Sequence, residues 1–302
     1  MLASTSLRRA SIDRIAAGWI ALGGQLEGDP DATVIDPEAL IAATAELAGN
    51  EDRILGVALD WCVAYGSAVN SSRLRRIARA MNVTTALPSF AAALSAAGGP
   101  TWSAGTGTGA GAAAPMAASW RGKVAVRDLS APARLVWRLR SAFGVNARAD
   151  ILALLLSCPA GTEMRVADIA RRTGFSKRNA ALAIESMRLA GVVEADRKGN
   201  SDRVALPADS PLRAFLPLAV AAPDWTARWT VAIEMLRLDE QLASAPDGAV
   251  IVEERVAAES LGPKLRDAGL PRPDLTVRGP AFAVSFDAWM GALATTLSDL
   301  AQ

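Results

Sequence analysis

The stretch that most constrains the fold is residues 166–206, VADIARRTGFSKRNAALAIESMRLAGVVEADRKGNSDRVAL. It opens with a short helix over 166–172, in which Val166, Ile169 and Ala170 share one face. Thr173-Gly174-Phe175 follows as a turn, with Gly174 where a helix leaves through a left-handed residue. Ser176 is placed to cap a second helix, its hydroxyl accepting from the free N–H groups of the next turn. That helix is expected to run to about Ala190 and to stop at Gly191. Two apolar runs, Val192-Val193 and Val204-Ala205-Leu206, then flank 194–203, and Lys198-Gly199-Asn200 supplies a turn, so the segment reads as a β-hairpin.

Helix, glycine turn, helix and hairpin in that order resemble the winged helix-turn-helix DNA-binding domains of bacterial transcription regulators of the MarR, ArsR and GntR kinds. The likeness rests on Ile169-Ala170, Gly174-Phe175-Ser176, Ala180, Ile184, Met187 and Gly191-Val192-Val193, and spans residues 146–206. In the second helix Ala180, Ala183, Ile184, Met187 and Ala190 form a core face. Lys177, Arg178, Asn179, Ala181, Leu182, Glu185 and Arg188 are left outside. In a recognition helix the N-terminal side chains reach base edges, Arg or Lys suiting guanine and Asn adenine. The candidate DNA-binding set is therefore Ser176, Lys177, Arg178, Asn179, Ala181, Leu182 and Arg188, with Arg197, Lys198 and Arg203 on the wing. The other reading of Lys177–Asn179 is a solvated face beside a cap. Leu182 departs from the pattern. It either touches a thymine methyl or is covered by a neighbour, and the second case favours a protein partner.

Composition narrows the chemistry. Histidine is absent, which removes His-based acid–base catalysis, His metal ligands and His pH switching. The two cysteines, Cys62 and Cys158, stand far apart in apolar helical patterns, so buried free thiols are expected and no disulfide framework. No stretch of about 18 apolar residues occurs and no signal peptide is evident, so a cytoplasmic protein without a membrane span is expected. Asp60, Glu185 and Glu234 are scattered acids with no nucleophile motif near them, so an enzyme is not expected, nor a cofactor or a metal site.

The net charge of +1 hides a pattern. Residues 1–60 carry four basic and ten acidic side chains, and 209–302 carry eight and thirteen. Residues 61–80 carry four basic and none acidic, and 165–208 nine basic and five acidic. A basic middle between acidic ends is the footprint of a phosphate-backbone binder.

The chain reads as mainly α: a multi-domain helical protein with a central winged helix-turn-helix and a small hairpin wing. A helical domain is expected over 1–96, with helices over 7–22, 36–48, 51–65 and 70–81, the second started by Asp36-Pro37. Arg73, Arg75, Arg76 and Arg79 stand on the fourth of these helices. They suit DNA phosphates, the acidic N-terminal segment, an acidic partner or plain solvent. A weaker helix is expected over 88–96. Residues 97–119, rich in Gly, Ala, Ser and Thr, are expected to be a flexible linker. The winged domain follows over 120–208: an extended arm over 120–129, a helix capped by Ser130 with Arg134, Arg138 and Arg140 on its surface, and a helix capped by Asn146. A short edge strand over 162–166 adds to the wing. A C-terminal helical domain over 209–302 serves dimerisation or partner binding, with a short strand over 282–284 before a last helix capped by Ser285. The function expected is a sequence-specific DNA-binding transcription regulator, a repressor acting as a homodimer on double-stranded DNA. The alternative is a protein-interaction module, such as an antitoxin of the winged AbiEi kind or another defence-system component.

Overall fold

The computed structural model describes residues 2–102, 122, 124, 126, 128–198, 201–216, 220–243 and 246–299. Five helices come first: α1 (Leu2–Ala21), α2 (Pro37–Leu47), α3 (Asp52–Tyr65), α4 (Ser71–Ala80) and α5 (Ala86–Ala96). The middle holds α6 (Leu135–Phe143), α7 (Ala147–Leu156), β1 (Met164–Arg165), α8 (Val166–Thr173), α9 (Lys177–Leu189), β2 (Glu194–Lys198) and β3 (Ser201–Ala205). Three long helices close the chain: α10 (Trp225–Leu242), α11 (Asp247–Ala268) and α12 (Pro280–Ser298). The architecture is mainly helical with one small three-stranded antiparallel sheet, ordered β1-β3-β2.

Local chemistry sets most of the boundaries. Asp36 accepts from the Ala39 N–H at 3.2 Å, with Pro37 at the first helical position of α2. The Asn70 side chain accepts from Arg73 N at 3.0 Å to open α4, and the Asn146 side chain from Arg148 N at 2.9 Å to open α7. Such caps satisfy N–H groups that the helix itself cannot. Gly174 ends α8 in the left-handed region, at φ 69°. In the hairpin, Arg197 stands opposite Asp202 and Ala195 opposite Val204, so Val204 points inward while Arg197 and Asp202 lie at the exposed end.

Several expectations change. Ser130 caps no helix: its N–H and hydroxyl both donate to Asp128, and a 3-10 turn over Pro132–Arg134 leads into α6 instead. The strand expected over 282–284 is part of α12, because Pro280 stands at its first position and Phe282, Phe286, Trp289 and Leu293 are buried at helical spacing. Residues 97–102, expected as the start of the linker, return to the helical core at Trp102, which is buried and stacked on Phe90 at 6.5 Å between ring centres, while Gly98 and Thr101 stay exposed. The rest of that linker, residues 103–119, lies outside the described residues, as do Gly199 and Asn200 of the hairpin turn. Of the arm over 120–129, Val126 N donates to the Tyr65 hydroxyl at 3.2 Å, and Val124, Val126 and Leu129 pack on the helical core.

The buried side chains fall into two clusters. One joins α1–α5 to α10–α12, so that the first and last segments share an interior, with Trp19, Trp61, Phe90, Trp229 and Phe282 fully buried in it. Residues 1–96 and 209–302, expected as separate domains, thus contribute to one core. The second cluster lies under the sheet and gathers Leu139, Ile151, Leu155, Ile169, Ala180, Ile184, Met187 and Val204. Trp137 of α6 bridges the two units, 5.3 Å from Trp61 and 4.6 Å from Tyr65. Among the described residues no helix is long and apolar enough to cross a membrane.

Candidate nucleic-acid interface

Helix α9 is divided cleanly. Ala180, Ile184 and Met187 are buried. Lys177, Arg178, Asn179, Ala181 and Leu182 are exposed on the other side. The Ser176 hydroxyl accepts from Asn179 N at 3.2 Å and fixes the start of the helix. Lys177, Arg178 and the Asn179 side chain have no hydrogen bond or ion pair among the described residues. Arg188 does not share that freedom. Its Nε and Nη2 both donate to Glu185, at 2.8 and 2.7 Å, so the last turn of α9 offers a neutral pair. Arg197 is exposed on β2, while Arg203 on β3 is half-buried and faces a cleft that no residue of α9 lines.

The turn before α9 rests on α4. A Cβ at Gly174 would stand 3.1 Å from Ile77 Cγ1, and the Arg73 guanidinium lies 5.9 Å from the centre of the Phe175 ring. Of the four arginines on α4, Arg73 is turned inward and buried, whereas Arg76 and Arg79 are exposed and Arg75 is half-exposed. Arg73 Nη1 donates to Glu38 at 2.6 Å and to Asp36 at 2.8 Å, Nη2 to the second Asp36 oxygen, and Nε to the Thr173 carbonyl. An external phosphate therefore does not meet Arg73. Of the roles expected for it, docking on the acidic N-terminal segment is the one observed.

Arg140, expected on the surface of α6, is also buried. Its Nε and Nη2 hold both oxygens of Asp150, at 2.7 and 2.9 Å. Nη1 and Nη2 reach Glu38 at 2.7 and 2.9 Å, and Nη1 also donates to the Ala68 carbonyl. Glu38, fully buried, accepts from Asn70 N at 2.6 Å as well. Two guanidiniums and three carboxylates thus join α2 and α4 to α6, α7 and the end of α8. Burial alone would lower the pKa of both arginines, but the carboxylates outweigh it and hold both above the ordinary value. Burial likewise pulls Asp36 up, and the Arg73 guanidinium overcomes that and keeps it below the usual carboxylate range. Sequence reasoning missed this cluster. One signal was present: Arg140 stands four residues after Val136 and three after Trp137, on the apolar side of its helix.

The scattered acids have ordinary occupations. Asp60 accepts from Gly122 N at 3.1 Å, Glu185 pairs with Arg188, and Glu234 pairs with Lys264. Cys62 is fully buried and Cys158 half-buried, its thiol donating to the Leu154 carbonyl at 3.3 Å. No group of His, Cys, Asp and Glu among the described residues could hold a metal. Comparison of the chain with protein families, with curated proteins and with solved structures gives no match.

Proposed function

We propose that α7 through β3 form a winged helix-turn-helix, with α9 as recognition helix in the major groove of duplex DNA and the β2–β3 hairpin as wing. The chain is then a transcription regulator, a repressor acting as a homodimer, since paired half-sites require a two-fold protein. The observation that supports this most is the division of α9. Its apolar face is spent on the core, and three unengaged polar residues, Lys177, Arg178 and Asn179, stand at its exposed N-terminal end. The element order helix–strand–helix–turn–helix–strand–strand, with sheet order β1-β3-β2, accords with this reading.

The test compares two variants on native upstream DNA and on random duplex. Arg178→Ala costs roughly 1–3 kcal/mol and relaxes sequence preference if Arg178 pairs with a base. Lys198→Ala weakens both duplexes alike and lowers the salt slope by about one. Parental binding by the double variant at low and moderate salt would end the DNA reading.

A second reading has its own support. Leu182 and Leu189, seven apart on one face of α9, are 63% and 72% exposed. Beside the C-terminal half of α9 runs a groove of about 540 Å³ lined by Phe143, Leu152, Met187, Val192 and Leu212. Exposed leucines on such a helix suit a protein partner, as in an antitoxin. Retention of DNA binding by Leu182→Gln together with loss by Arg178→Ala separates the two.

A further inference from the structure

Between the sheet, α8 and the C-terminal end of α11 lies an open cleft of about 510 Å³. That is within the range of small-molecule sites, about 300–1,000 Å³. Six arginines line it against four carboxylates, and no aromatic ring does.

The carboxylates are unevenly used. Asp224 and Asp267 both face Arg171, at 2.7 and 3.4 Å. Arg172 donates to the Ala222 carbonyl at 2.6 Å. Arg165, Arg203 and Arg266 have no ion pair or hydrogen bond of their side chains among the described residues. Two of these three are forced together by the sheet, because Arg165 on β1 stands directly opposite Arg203 on β3. Directly opposed residues place their Cβ atoms about 4.5–5.5 Å apart, and like charges there destabilise. Asp196 of β2 stands on the other side of Arg203, so one carboxylate answers two guanidiniums in that row.

Arg228 adds a fourth cation in the wall. It is 8% exposed, its Nε donates to the Ala268 carbonyl at 3.1 Å, and its buried Nη1 has no partner. Burial, with the neighbouring Arg14 guanidinium, pulls the Arg228 pKa down to about 10, the mark of a cation short of negative company.

We propose that this cleft binds a small polyanion carrying more than one phosphate, held by Arg165, Arg203 and Arg266 with Arg228 beside them. Guanidinium forks match phosphate oxygens two at a time. Several unpaired guanidiniums call for several anionic groups, and the lack of a ring to stack a base sets the selection on charge. A bound polyanion would tie the sheet, through Arg165 and Arg203, to α11 through Arg266. The site does not rest on the DNA reading: none of its residues belongs to α9, and Arg203, the one wing residue among the arginines that hold the ligand, faces the cleft.

The probe is inorganic pyrophosphate, titrated calorimetrically into the full chain at constant ionic strength with sulfate as control. The comparison is Arg165→Ala/Arg266→Ala, two exposed positions with no side-chain partner, whose folding is checked by circular dichroism and thermal melting. Saturable pyrophosphate binding that the double variant weakens about tenfold or more is the result expected. No saturable binding, or equal binding by the folded variant, overturns the proposal. A non-specific duplex added as competitor separates free phosphates from a nucleic-acid backbone. A duplex that binds alongside pyrophosphate supports the small ligand. A duplex that displaces it, and that the variant loses in the same proportion, gives the cleft to nucleic acid and overturns the proposal.

Discussion

Arg140 Nη1 and Nη2 grip the two oxygens of Glu38, at 2.7 and 2.9 Å, across 102 residues of sequence. The fork ties the helical body to the unit that carries α9, in a place where water does not reach. Removing one partner of a buried ion pair leaves the other charge uncompensated, which costs about 3–5 kcal/mol. Arg140→Met should destabilise the protein by that amount in urea unfolding. Arg140→Lys should fall between, because an ammonium keeps the charge and loses the two-pronged geometry. A midpoint unchanged in Arg140→Met would show that the cluster contributes nothing to stability.

Asp36 gives a pH signature. Its folded pKa lies below its ordinary value, so its stabilisation is fully present above the unfolded pKa of about 3.9 and is lost as pH falls through the folded value. Asp31 and Asp224 oppose this. Burial holds their carboxyls above the ordinary value, so protonation relieves them. The difference between parent and Asp36→Asn isolates the effect, since Asn still caps α2. The stability gap between the two should be largest near neutral pH and should close in acid. A gap that stays constant from pH 7 to pH 3 contradicts the depressed pKa.

Gly174→Ala should destabilise by about 1–2 kcal/mol, because the position has φ 69° and left-handed backbone is unfavourable for alanine. The added Cβ also meets Ile77, so the strain is passed to the contact between α4 and the turn. Thermal melting reads the loss, and a melting temperature equal to the parent's argues that the turn is more plastic than its packing indicates.

The two thiols should separate in reactivity. Cys62 is fully buried and burial raises its pKa well above the ordinary value, so it should react with an aromatic disulfide reagent only on unfolding. Cys158 is half-buried with a raised pKa, also from burial, and should react slowly but measurably in the native state. Mass mapping of the first modified cysteine checks the order, and early labelling of Cys62 would contradict it.

What was legible in the sequence was what neighbours in the chain decide. Asp36-Pro37, Asn146, Ser176 and Gly174 announce their helix ends because a cap or a left-handed residue acts within three or four positions. The periodicity of Ala180, Ile184 and Met187 likewise fixed the buried side of α9. Ser130 misled because Asp128, two residues earlier, competed for its hydroxyl. Phe282 to Val284 looked like a strand because three apolar or small residues fit either period, and only the longer run to Leu293 reveals a helix. Arg73 and Arg140 were beyond local reasoning, since their carboxylate partners come from distant segments and a lone arginine on a helix is indistinguishable from a surface one until its partner is placed. The opposed pair Arg165 and Arg203 required the register of β1 on β3, which no neighbouring residue encodes.

Because α1 to α5 share their interior with α10 to α12, the order of synthesis matters. At 5–20 residues per second, about 10–40 s separate the emergence of α5 from that of α12. Throughout that interval α1 lacks α12 and α10, the helices that finally pack against it. The unit around α9 has its own core and is complete long before release from the ribosome. Helix α1 is thus made well before the helices that seal it, and a nascent chain halted before α12 would expose an open apolar face for chaperones to find.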